Sequence, residues 1–592
     1  MKLSDYVIQF LADRGVTHFF GMSGGAAVHL FDSVAKNPNL KVVCSQHEQS
    51  ASMSADGFAR VTDKIGVAIT TSGPGATNLL TGVCCSYYDS IPTLMLTGQV
   101  ATHRLKKERK VRQIGFQETD VVSIYNSVTK YCIQIEDPKT IRYHLEKAYY
   151  IAFDGRPGPV LIDIPDDLQR VEIEPNLLEQ FIPEKEINRE NEIIQQIQYL
   201  FDLIKRSNRP VMVLGAGFNT PRIDCNKIES FVEAMKIPVL CTWPGQDTLS
   251  DDNEYKIGTF GVYGPRFGNF AIQNSDLIIA LGTRLSQNLT GGILNSFARQ
   301  SKIAMVDIDK EELTKFDGRG IQIDLKINSS LGIFLKLIQD LKQDLPNQEH
   351  SEWSKKIKGW KNKFPITNES VTPKSDDFID AYYFIDSLSN HLKENDNIFV
   401  DTGGNVTWTS NGIKIKKNQR LISAWNNTPM GYSLPAAIGA AFAQNKTQIC
   451  IIGDGGLMIC LSELATVVKH NLKIKIFLFN NHSHGIQKQT LQTWLNGKYV
   501  GVDPNSGLAF PDFPKVAEAF GLKVITIKNK NDADTLIPKI LSNDEPVFCN
   551  VEIFTDQKLY PVVKFGSPLE DQLPSLPAGV IESEMIIDPF RK

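Results

Sequence analysis

Three successive blocks of this 592-residue chain alternate short apolar runs with stretches of helical length. The runs span 17–21, 41–44, 65–70, 93–97 and 159–163 in the first block, 210–217, 237–240, 277–282 and 303–309 in the second, and 397–401, 448–455, 474–481 and 547–552 in the third. Short apolar runs separated by helices are typical of strands that are buried on both faces of a parallel sheet. The pattern predicts an α/β fold of three doubly wound parallel-sheet domains.

Breaks in this pattern give the expected domain borders. A charged stretch with prolines follows the first block, and a Lys- and Asn-rich stretch follows the second. We expect a first domain at 1–168, a central Rossmann-like domain at 190–340, a linker with room for a helix at 341–375, a third domain at 376–555 and an irregular Pro-rich tail at 556–592. Ligands of such folds bind where strands end at the carboxyl edge of a sheet, so function should lie there.

The charge balance argues against partners that need a strong electrostatic field. Lys and Arg number 63 and Asp and Glu 67, so the formal net charge of −4 gives no reason to expect nucleic acid or a membrane surface as partner. The nine cysteines form no CxxC pair and are expected to be reduced thiols. The N-terminus lacks a secretory pattern and the chain lacks a long apolar stretch, which predicts a cytoplasmic protein that acts on small molecules.

Two motifs follow apolar runs of the third block at the point where each strand should end. Gly453-Asp454-Gly455-Gly456 follows one run and Asn480-Asn481 follows the next. Asp454 and Asn481 offer the oxygen ligands that Mg2+ prefers, and the glycines let backbone N–H groups approach phosphate oxygens. A helix that starts near Leu461 is expected to direct its N-terminus at them. Singly, each motif is also consistent with a turn or loop; together they predict a magnesium and diphosphate site.

This pair of motifs resembles the signature of thiamine-diphosphate enzymes. The resemblance implies that Asp454, Asn481 and the backbone carbonyl of Ser483 bind Mg2+, which holds the diphosphate of the cofactor. It also makes the first domain the pyrimidine-binding domain and the third the diphosphate-binding domain.

Such a cofactor needs one carboxylic acid in an apolar pocket, and Glu48 is the candidate. Glu48 follows the run 41–44 and opens a helix rich in small residues, although a glutamate is also favoured at any helix N-terminus. The motifs Thr70–Asn78, Leu96–Gln99 and Gly115–Thr119 follow neighbouring strands. With them, the sequence resembles the acetolactate synthase family from about residue 3 to about residue 555.

The family resemblance implies further roles. Glu48 would activate the cofactor, Gly25 would offer a backbone contact near the reacting carbon, and Gln117 would line the substrate pocket. The implied cofactor contacts are Pro74, Asn78, Met430, Gly453, Asp454, Gly455, Gly456, Asn481 and Gly485. Met430 matches the bulky residue that bends the cofactor, although a core methionine is the alternative. Glu48 of one chain would face Asp454 of another, which implies at least a homodimer.

The central block departs from the family pattern and leaves FAD open. In acetolactate synthases this domain carries FAD, which takes no redox part in the reaction. Arg156, Gly215, Gly217 and Arg284 match flavin-contacting positions. However, Ser286-Gln287-Asn288 stands where the family has two acids and an arginine, and a glycine pair after a strand is weak support for a nucleotide.

The residues on the acceptor side of the pocket also differ from the family pattern. The expected pocket residues are His484, Ile486, Gln487 and Thr490, and Thr490 stands where the family has a tryptophan that shapes selection of the second 2-oxo acid. Asp166 likewise replaces a lysine and Ser23 a proline. We expect a pocket for a wider and more polar acceptor than pyruvate. The alternative is that His482, His484 and Lys488 are solvated loop groups.

The leading functional hypothesis is a transferase. A 2-oxo acid such as pyruvate would lose CO2, and the two-carbon unit would pass to an acceptor carbonyl, either a 2-oxo acid or the keto group of a sugar nucleotide. The alternatives are a simple 2-oxo acid decarboxylase or lyase, a flavin oxidase, and an inactive regulatory homologue. The joint presence of Glu48, Asp454 and Asn481 argues against the last.

Overall fold

The computed structural model describes residues 1–184, 188–366 and 377–590 and contains three six-stranded parallel sheets. Each sheet carries helices on both faces, so the predicted fold class is confirmed. Within the described residues, no helix is both long and apolar enough to cross a membrane.

The first sheet has the strand order β2-β1-β3-β4-β6-β5. Its strands are β1 (His18–Met22), β2 (Lys41–Cys44), β3 (Gly66–Thr70), β4 (Thr93–Gln99), β5 (Tyr131–Gln134) and β6 (Val160–Pro165). Its helices are α1 (Leu3–Ala12), α2 (Val28–Ala35), α3 (Glu48–Thr62), α4 (Pro74–Asn78), α5 (Leu80–Asp89), α6 (Val121–Tyr125), α7 (Ile141–Phe153) and α8 (Asp166–Gln169). Strands β3, β4 and β6 are buried along their whole length, which explains their continuous apolar runs.

The central sheet has the order β12-β11-β10-β7-β8-β9. Its strands are β7 (Pro210–Leu214), β8 (Val239–Cys241), β9 (Lys256–Thr259), β10 (Leu277–Leu281), β11 (Lys302–Asp307) and β12 (Leu325–Asn328). Its helices are α9 (Glu190–Arg206), α10 (Cys225–Met235), α11 (Arg266–Asn274), α12 (Gln287–Thr290), α13 (Lys310–Thr314), α14 (Leu331–Asp340) and α15 (Ser351–Lys363).

The third sheet has the order β14-β13-β15-β16-β18-β17. Its strands are β13 (Asn397–Val400), β14 (Arg420–Ile422), β15 (Gln448–Gly453), β16 (Ile474–Asn480), β17 (Lys523–Ile527) and β18 (Val547–Glu552). Its helices are α16 (Ala381–His391), α17 (Gly404–Gly412), α18 (Ser433–Ala443), α19 (Asp454–Cys460), α20 (Leu464–Lys469), α21 (Gly485–Trp494), α22 (Phe513–Phe520) and α23 (Lys530–Leu541). Strands β13, β15 and β16 are neighbours, so the loops that follow them meet at one edge.

The predicted linker and tail pack on the central domain. Helix α15 lies inside the stretch assigned to the linker, and its Trp353 and Trp360 are buried against the central core. Residues 367–376 of that stretch lie outside the described residues. The tail contains an antiparallel pair, β19 (Val562–Val563) with β20 (Gln572–Leu573), and helix α24 (Val580–Glu584). Its Leu569 and Met585 pack into the same core, so the tail is folded onto the domain.

Helices α3 and α18 join the first domain to the third. Gly57 of α3 and Gly439 of α18 lie so close to the facing helix that a Cβ on either would clash with a main-chain oxygen of Ala436 or Ser54. The Ser54 hydroxyl also donates to the Pro435 carbonyl at 2.8 Å. This contact positions α3, and with it Glu48, against the third domain.

Candidate active site

A cavity of about 340 Å³ lies at the carboxyl edge of the third sheet. Its walls are the loops after β13, β15 and β16, together with Met430. The predicted residues among its lining are Met430, Gly453, Asp454, Gly455, Gly456, Asn481, Ser483, His484, Gly485, Ile486 and Gln487. The structure therefore brings together all the third-block residues that were predicted for the cofactor and the metal.

Oxygen atoms of Asp454, Asn481 and Ser483 converge in this cavity. One polar atom of the Asn481 amide lies 2.9 Å from the Ser483 carbonyl oxygen and 3.3 Å from Oδ2 of Asp454. With the amide oxygen in that position, three oxygens face one another, which is repulsive unless a cation lies among them; with the amide nitrogen there, it donates hydrogen bonds to both. The first orientation supplies a carboxylate, an amide oxygen and a carbonyl, which fits Mg2+.

Burial changes the ionisation of the Asp454 carboxyl group in this oxygen cluster. Burial raises the pKa of Asp454 to about 7, although the N–H groups of Gly455 and Ser483 donate to its carboxylate. A buried ionised carboxylate is costly without a cation partner. The raised pKa therefore supports the interpretation of Asp454 as a cation ligand.

Helix N-termini surround the same space. Helix α17 begins at Gly404, α19 at Asp454 and α21 at Gly485, and all three positions line the cavity. The helix predicted to start near Leu461 begins instead at Asp454, and Leu461 opens a short 3-10 turn. Because the first N–H groups of a helix are free and its N-terminus carries a partial positive charge, these ends fit phosphate oxygens.

Close packing explains the glycine at position 455. A Cβ on Gly455 would lie 2.5 Å from Nε2 of His484 and 3.6 Å from the Met430 sulfur. Met430 is 39% exposed and lines the cavity, so it is a cavity wall rather than a core methionine. Met430, Gly455 and His484 thus border one narrow space above the oxygen cluster.

The loop Asp401–Asn405 also lines the cavity, and the sequence interpretation did not include it. Asp401 is buried, which raises its pKa to about 6, and it accepts hydrogen bonds from the N–H groups of Thr402 and Gly431. The signal was present: Asp401-Thr402-Gly403-Gly404 follows a strand just as Gly453-Asp454-Gly455-Gly456 does. The two loops come from adjacent strands.

The predicted acceptor residues divide into two groups. His484, Ile486 and Gln487 line the cavity, and burial lowers the pKa of His484. Thr490 lies one helical turn further along α21, and its hydroxyl donates to the Ile486 carbonyl at 2.9 Å. Thr490 is therefore beyond the cavity wall rather than part of it.

The charged groups beside the acceptor residues have partners in the chain. His482 lies 3.4 Å from Glu552, whose hydrogen bond raises the pKa of the histidine. Lys488 pairs with Asp503 and Asp556 at 3.5 and 3.3 Å. These two side chains are structural ion-pair members and not freely solvated loop groups.

A second cluster lies at the carboxyl edge of the first sheet, around Glu48. Glu48 opens α3, is 8% exposed, and accepts a hydrogen bond from Nδ2 of Asn78 at 3.0 Å. Asn78 ends α4, which begins at Pro74. Gln117 has a left-handed backbone with φ of 62°, and its Cβ would lie 3.0 Å from a Cβ on Gly73. Gly25 begins a 3-10 turn and has open space on the side where a Cβ would stand.

The two clusters are separate within one chain. Every described residue that lines the Asp454 cavity lies between positions 401 and 487, so Glu48 and its neighbours contribute no wall to it. The single chain thus presents an oxygen cluster around Asp454 and a second cluster around Glu48, and the two do not share a cavity.

The central domain borders a separate cavity, of about 220 Å³. Arg156, Gly217 and Arg284 line it, and Gly215 packs against Gly282 beside it. Arg156 forms ion pairs with Asp309 and Glu312 at 3.0 Å each, and Arg284 lies 3.6 Å from Glu312.

The other arginines of this cavity also have acidic partners. Arg60 pairs with Asp56 and Asp89, and Arg420 pairs with Asp247. The four arginines that line this cavity are thus all engaged by carboxylates.

Comparisons with known proteins agree with this architecture. Residues 1–124, 197–337 and 401–551 match the family models of the N-terminal TPP binding domain, the central domain and the C-terminal TPP binding domain of thiamine pyrophosphate enzymes.

Full-length relatives cover nearly the whole chain. An acetolactate synthase large subunit of Lactococcus lactis is 34% identical over 98% of this chain and 96% of its own length. The corresponding protein of Cyanidium caldarium is 32% identical over 95% and 94%, and the isozyme 2 large subunit of Escherichia coli is 30% identical over 97% and 100%. The chain therefore belongs to the thiamine-diphosphate enzyme family of the acetolactate synthase type.

Proposed function

We propose that this enzyme decarboxylates a 2-oxo acid, with pyruvate as the expected donor, and transfers the two-carbon unit to an acceptor carbonyl. The observation that carries the proposal is the convergence of Asp454, Asn481 and the Ser483 carbonyl beneath three helix N-termini. The names of the relatives support the reaction class, because they are acetolactate synthases.

The third-domain residues would hold the cofactor. Asp454, Asn481 and the Ser483 carbonyl would bind Mg2+, and the N–H groups at Gly404, Gly455 and Gly485 would donate to the diphosphate. Met430 would support the cofactor from the side and hold it in a bent form. Asp454, Asn481 and Ser483 are buried, and the low local dielectric of a buried site would strengthen these contacts.

Glu48 would supply the proton chemistry on the protein side. Thiamine diphosphate, when bound, supplies a thiazolium carbon that can lose a proton and attack a carbonyl. Glu48 would hold a proton at the pyrimidine N1′, and Asn78 would orient the Glu48 carboxylate through its 3.0 Å hydrogen bond. Gln117 and Gly25 would border the substrate on the same side.

We further propose that the active site forms between two chains. Glu48 lies outside the Asp454 cavity of its own chain, so one cofactor can meet both groups only if a second chain supplies one of them. This arrangement makes a homodimer the smallest active unit.

The proposed activity requires no flavin. The central cavity matches the flavin domain of the family in position, but its arginines offer no unpaired charge to a diphosphate. Purified enzyme that carries stoichiometric FAD bleached by pyruvate without oxygen would instead favour an oxidase.

The direct test is CO2 release from [1-13C]pyruvate with thiamine diphosphate and Mg2+, run with and without candidate acceptors and followed by mass spectrometry. We expect labelled CO2 together with a carbon–carbon ligation product. Acetaldehyde as the product would indicate a decarboxylase, and an absence of labelled CO2 under all conditions would contradict pyruvate as donor.

Residue 490 offers a test of acceptor choice. Thr490 lies four positions after Ile486 and therefore on the same face of α21, so a tryptophan there would extend over the cavity mouth. Thr490→Trp is expected to shift the kcat/KM ratio of small 2-oxo acid acceptors over wider ones by about tenfold, the usual scale for a pocket contact. Thr493→Trp is the matched control, because Thr493 is exposed and bonds to its own helix in the same way. An identical acceptor profile in both variants would count against the role of position 490.

A further inference from the structure

A strongly basic loop lies beside the Glu48 cluster. Its cations are Arg104, Lys106, Lys107, Arg109, Lys110 and Arg112, and its only acid is Glu108. Residues 104–112 thus carry six positive charges and one negative charge, a net +5 in a chain whose total is −4. This loop thus departs strongly from the overall charge balance of the chain.

The cations of the loop have no acidic partners within the described residues. All but Lys106 are exposed, and none forms an ion pair with a carboxylate there. The nearest acids in sequence are otherwise engaged: Glu118 accepts backbone hydrogen bonds, and Asp120 caps α6 through the Ser123 N–H at 3.1 Å. A concentration of unpaired like charge is unfavourable in isolation and favours an anionic ligand.

Hydrogen bonds hold the two ends of the loop, which form its root, in one place. The buried carboxylate of Glu118 accepts hydrogen bonds from the N–H groups of Lys106, Ile114 and Gly115, so both ends of the segment 107–113 are held at one point. The Gln113 side chain also donates to the Glu118 carbonyl at 3.0 Å. The charged tip therefore projects from a fixed root.

The root of the loop leads directly to the predicted catalytic cluster. Gln117 immediately precedes Glu118 and packs on Gly73, the residue before α4. Helix α4 ends at Asn78, which donates to Glu48. A molecule whose charged group binds at the loop tip would thus be able to reach the sheet edge that carries Glu48.

We propose that the loop 104–112 binds the phosphate or diphosphate group of the acceptor substrate. This inference rests on the proposed function, and it specifies the acceptor as a carbonyl compound that carries a phosphate or diphosphate. A second 2-oxo acid carries a single carboxylate, for which one cation suffices. Several arginines and lysines on one loop match the oxygens of a polyanion, because charge-assisted hydrogen bonds form with each of them.

The test measures anion binding separately from catalysis. Holoenzyme saturated with thiamine diphosphate and Mg2+ is titrated calorimetrically with UDP and with fructose 6-phosphate, and with uridine and fructose as uncharged counterparts. The loop variant is Lys107→Gln/Arg109→Gln/Lys110→Gln. The control variant is Lys227→Gln/Lys358→Gln/Lys539→Gln, which removes the same charge from exposed lysines that form no ion pair within the described residues.

We expect the wild type and the control to bind at least one phosphorylated probe and neither uncharged counterpart. The loop variant should bind that probe at least about tenfold more weakly, since each lost charged hydrogen bond contributes on this scale. Binding of the wild type should also weaken at high ionic strength. Preference for UDP would indicate a nucleotide-linked acceptor, and preference for fructose 6-phosphate a sugar phosphate.

Some results would overturn the anion-site proposal, and one would overturn the proposed donor reaction instead. Equal affinity of the wild type and the loop variant, or no binding of either phosphorylated probe, overturns the proposal. A loop variant that dissociates in sedimentation while it still binds the probe also overturns it, because the loop is then a subunit contact. Loop-dependent probe binding without labelled CO2 from pyruvate supports the anion site and overturns the proposed donor reaction.

Discussion

Replacement of Glu48 by glutamine is expected to lower the rate of CO2 release from pyruvate by at least about 100-fold, the scale of a lost general acid–base group. The amide oxygen of glutamine can still accept the hydrogen bond from Asn78, so the local geometry is retained. The amide cannot exchange a proton with the cofactor ring. The affinity for thiamine diphosphate, measured by calorimetry, should change much less than the rate.

Glu463→Gln is the matched control. Glu463 is also a buried glutamate beside α3, and its two oxygens accept hydrogen bonds from the Gln46 N–H and the Thr466 hydroxyl. In a glutamine, the amide oxygen can accept from the Gln46 N–H and the NH2 group can donate to the Thr466 hydroxyl. We expect this variant to keep most of the activity. Wild-type turnover in Glu48→Gln would refute the assignment of the activating acid.

Replacement of Asp454 by alanine is expected to weaken binding of thiamine diphosphate by at least about 100-fold in the presence of Mg2+, since the carboxylate of the proposed metal site is lost. The fold should survive, because the change removes a carboxylate whose pKa burial has already raised to about 7. Calorimetric titration of the cofactor, with and without Mg2+, measures the effect. The variant should also lose the dependence of cofactor affinity on Mg2+.

The control for this variant is Asp512→Ala. Asp512 also lies at a helix N-terminus, as the N-cap of α22, but it is exposed and its carboxylate accepts from the Lys515 N–H, so only about 1 kcal/mol of helix stability is at stake. Unchanged cofactor affinity in Asp454→Ala would remove the metal role.

The pH dependence of the wild type gives a further prediction. The apparent Mg2+ affinity should fall as the pH drops below about 7, because protons compete for Asp454.

The sequence predicted the interior strands of each sheet but only one of the six edge strands, β2. Strands β5, β9, β12, β14 and β17 had not been predicted, and every one of them lies at the edge of its sheet. Interior strands are buried on both faces and read as continuous apolar runs, whereas β5 is half-buried throughout and β14 has only three residues. Short or half-buried strands give little periodic signal.

The candidate site was predictable where its residues are consecutive in sequence. The motifs around Asp454 and Asn481 were found because each follows a recognisable strand, and adjacent strands bring them together. Thr490 was expected at the pocket, but α21 carries it one turn beyond the wall. The pairing of Arg156 with Asp309 and Glu312 joins distant positions, and no local pattern predicts it.

The isolation of the basic loop tip has a consequence for how such an enzyme can change over generations. No ion pair or side-chain hydrogen bond of the described fold depends on Lys107, Arg109 or Lys110, whereas the carboxylate of Glu118 holds the root. Substitutions of these three side chains therefore break no such contact and carry little cost in stability. Under the loop assignment proposed above, a lineage could exchange one phosphorylated acceptor for another through a few such mutations and leave the metal and cofactor residues untouched.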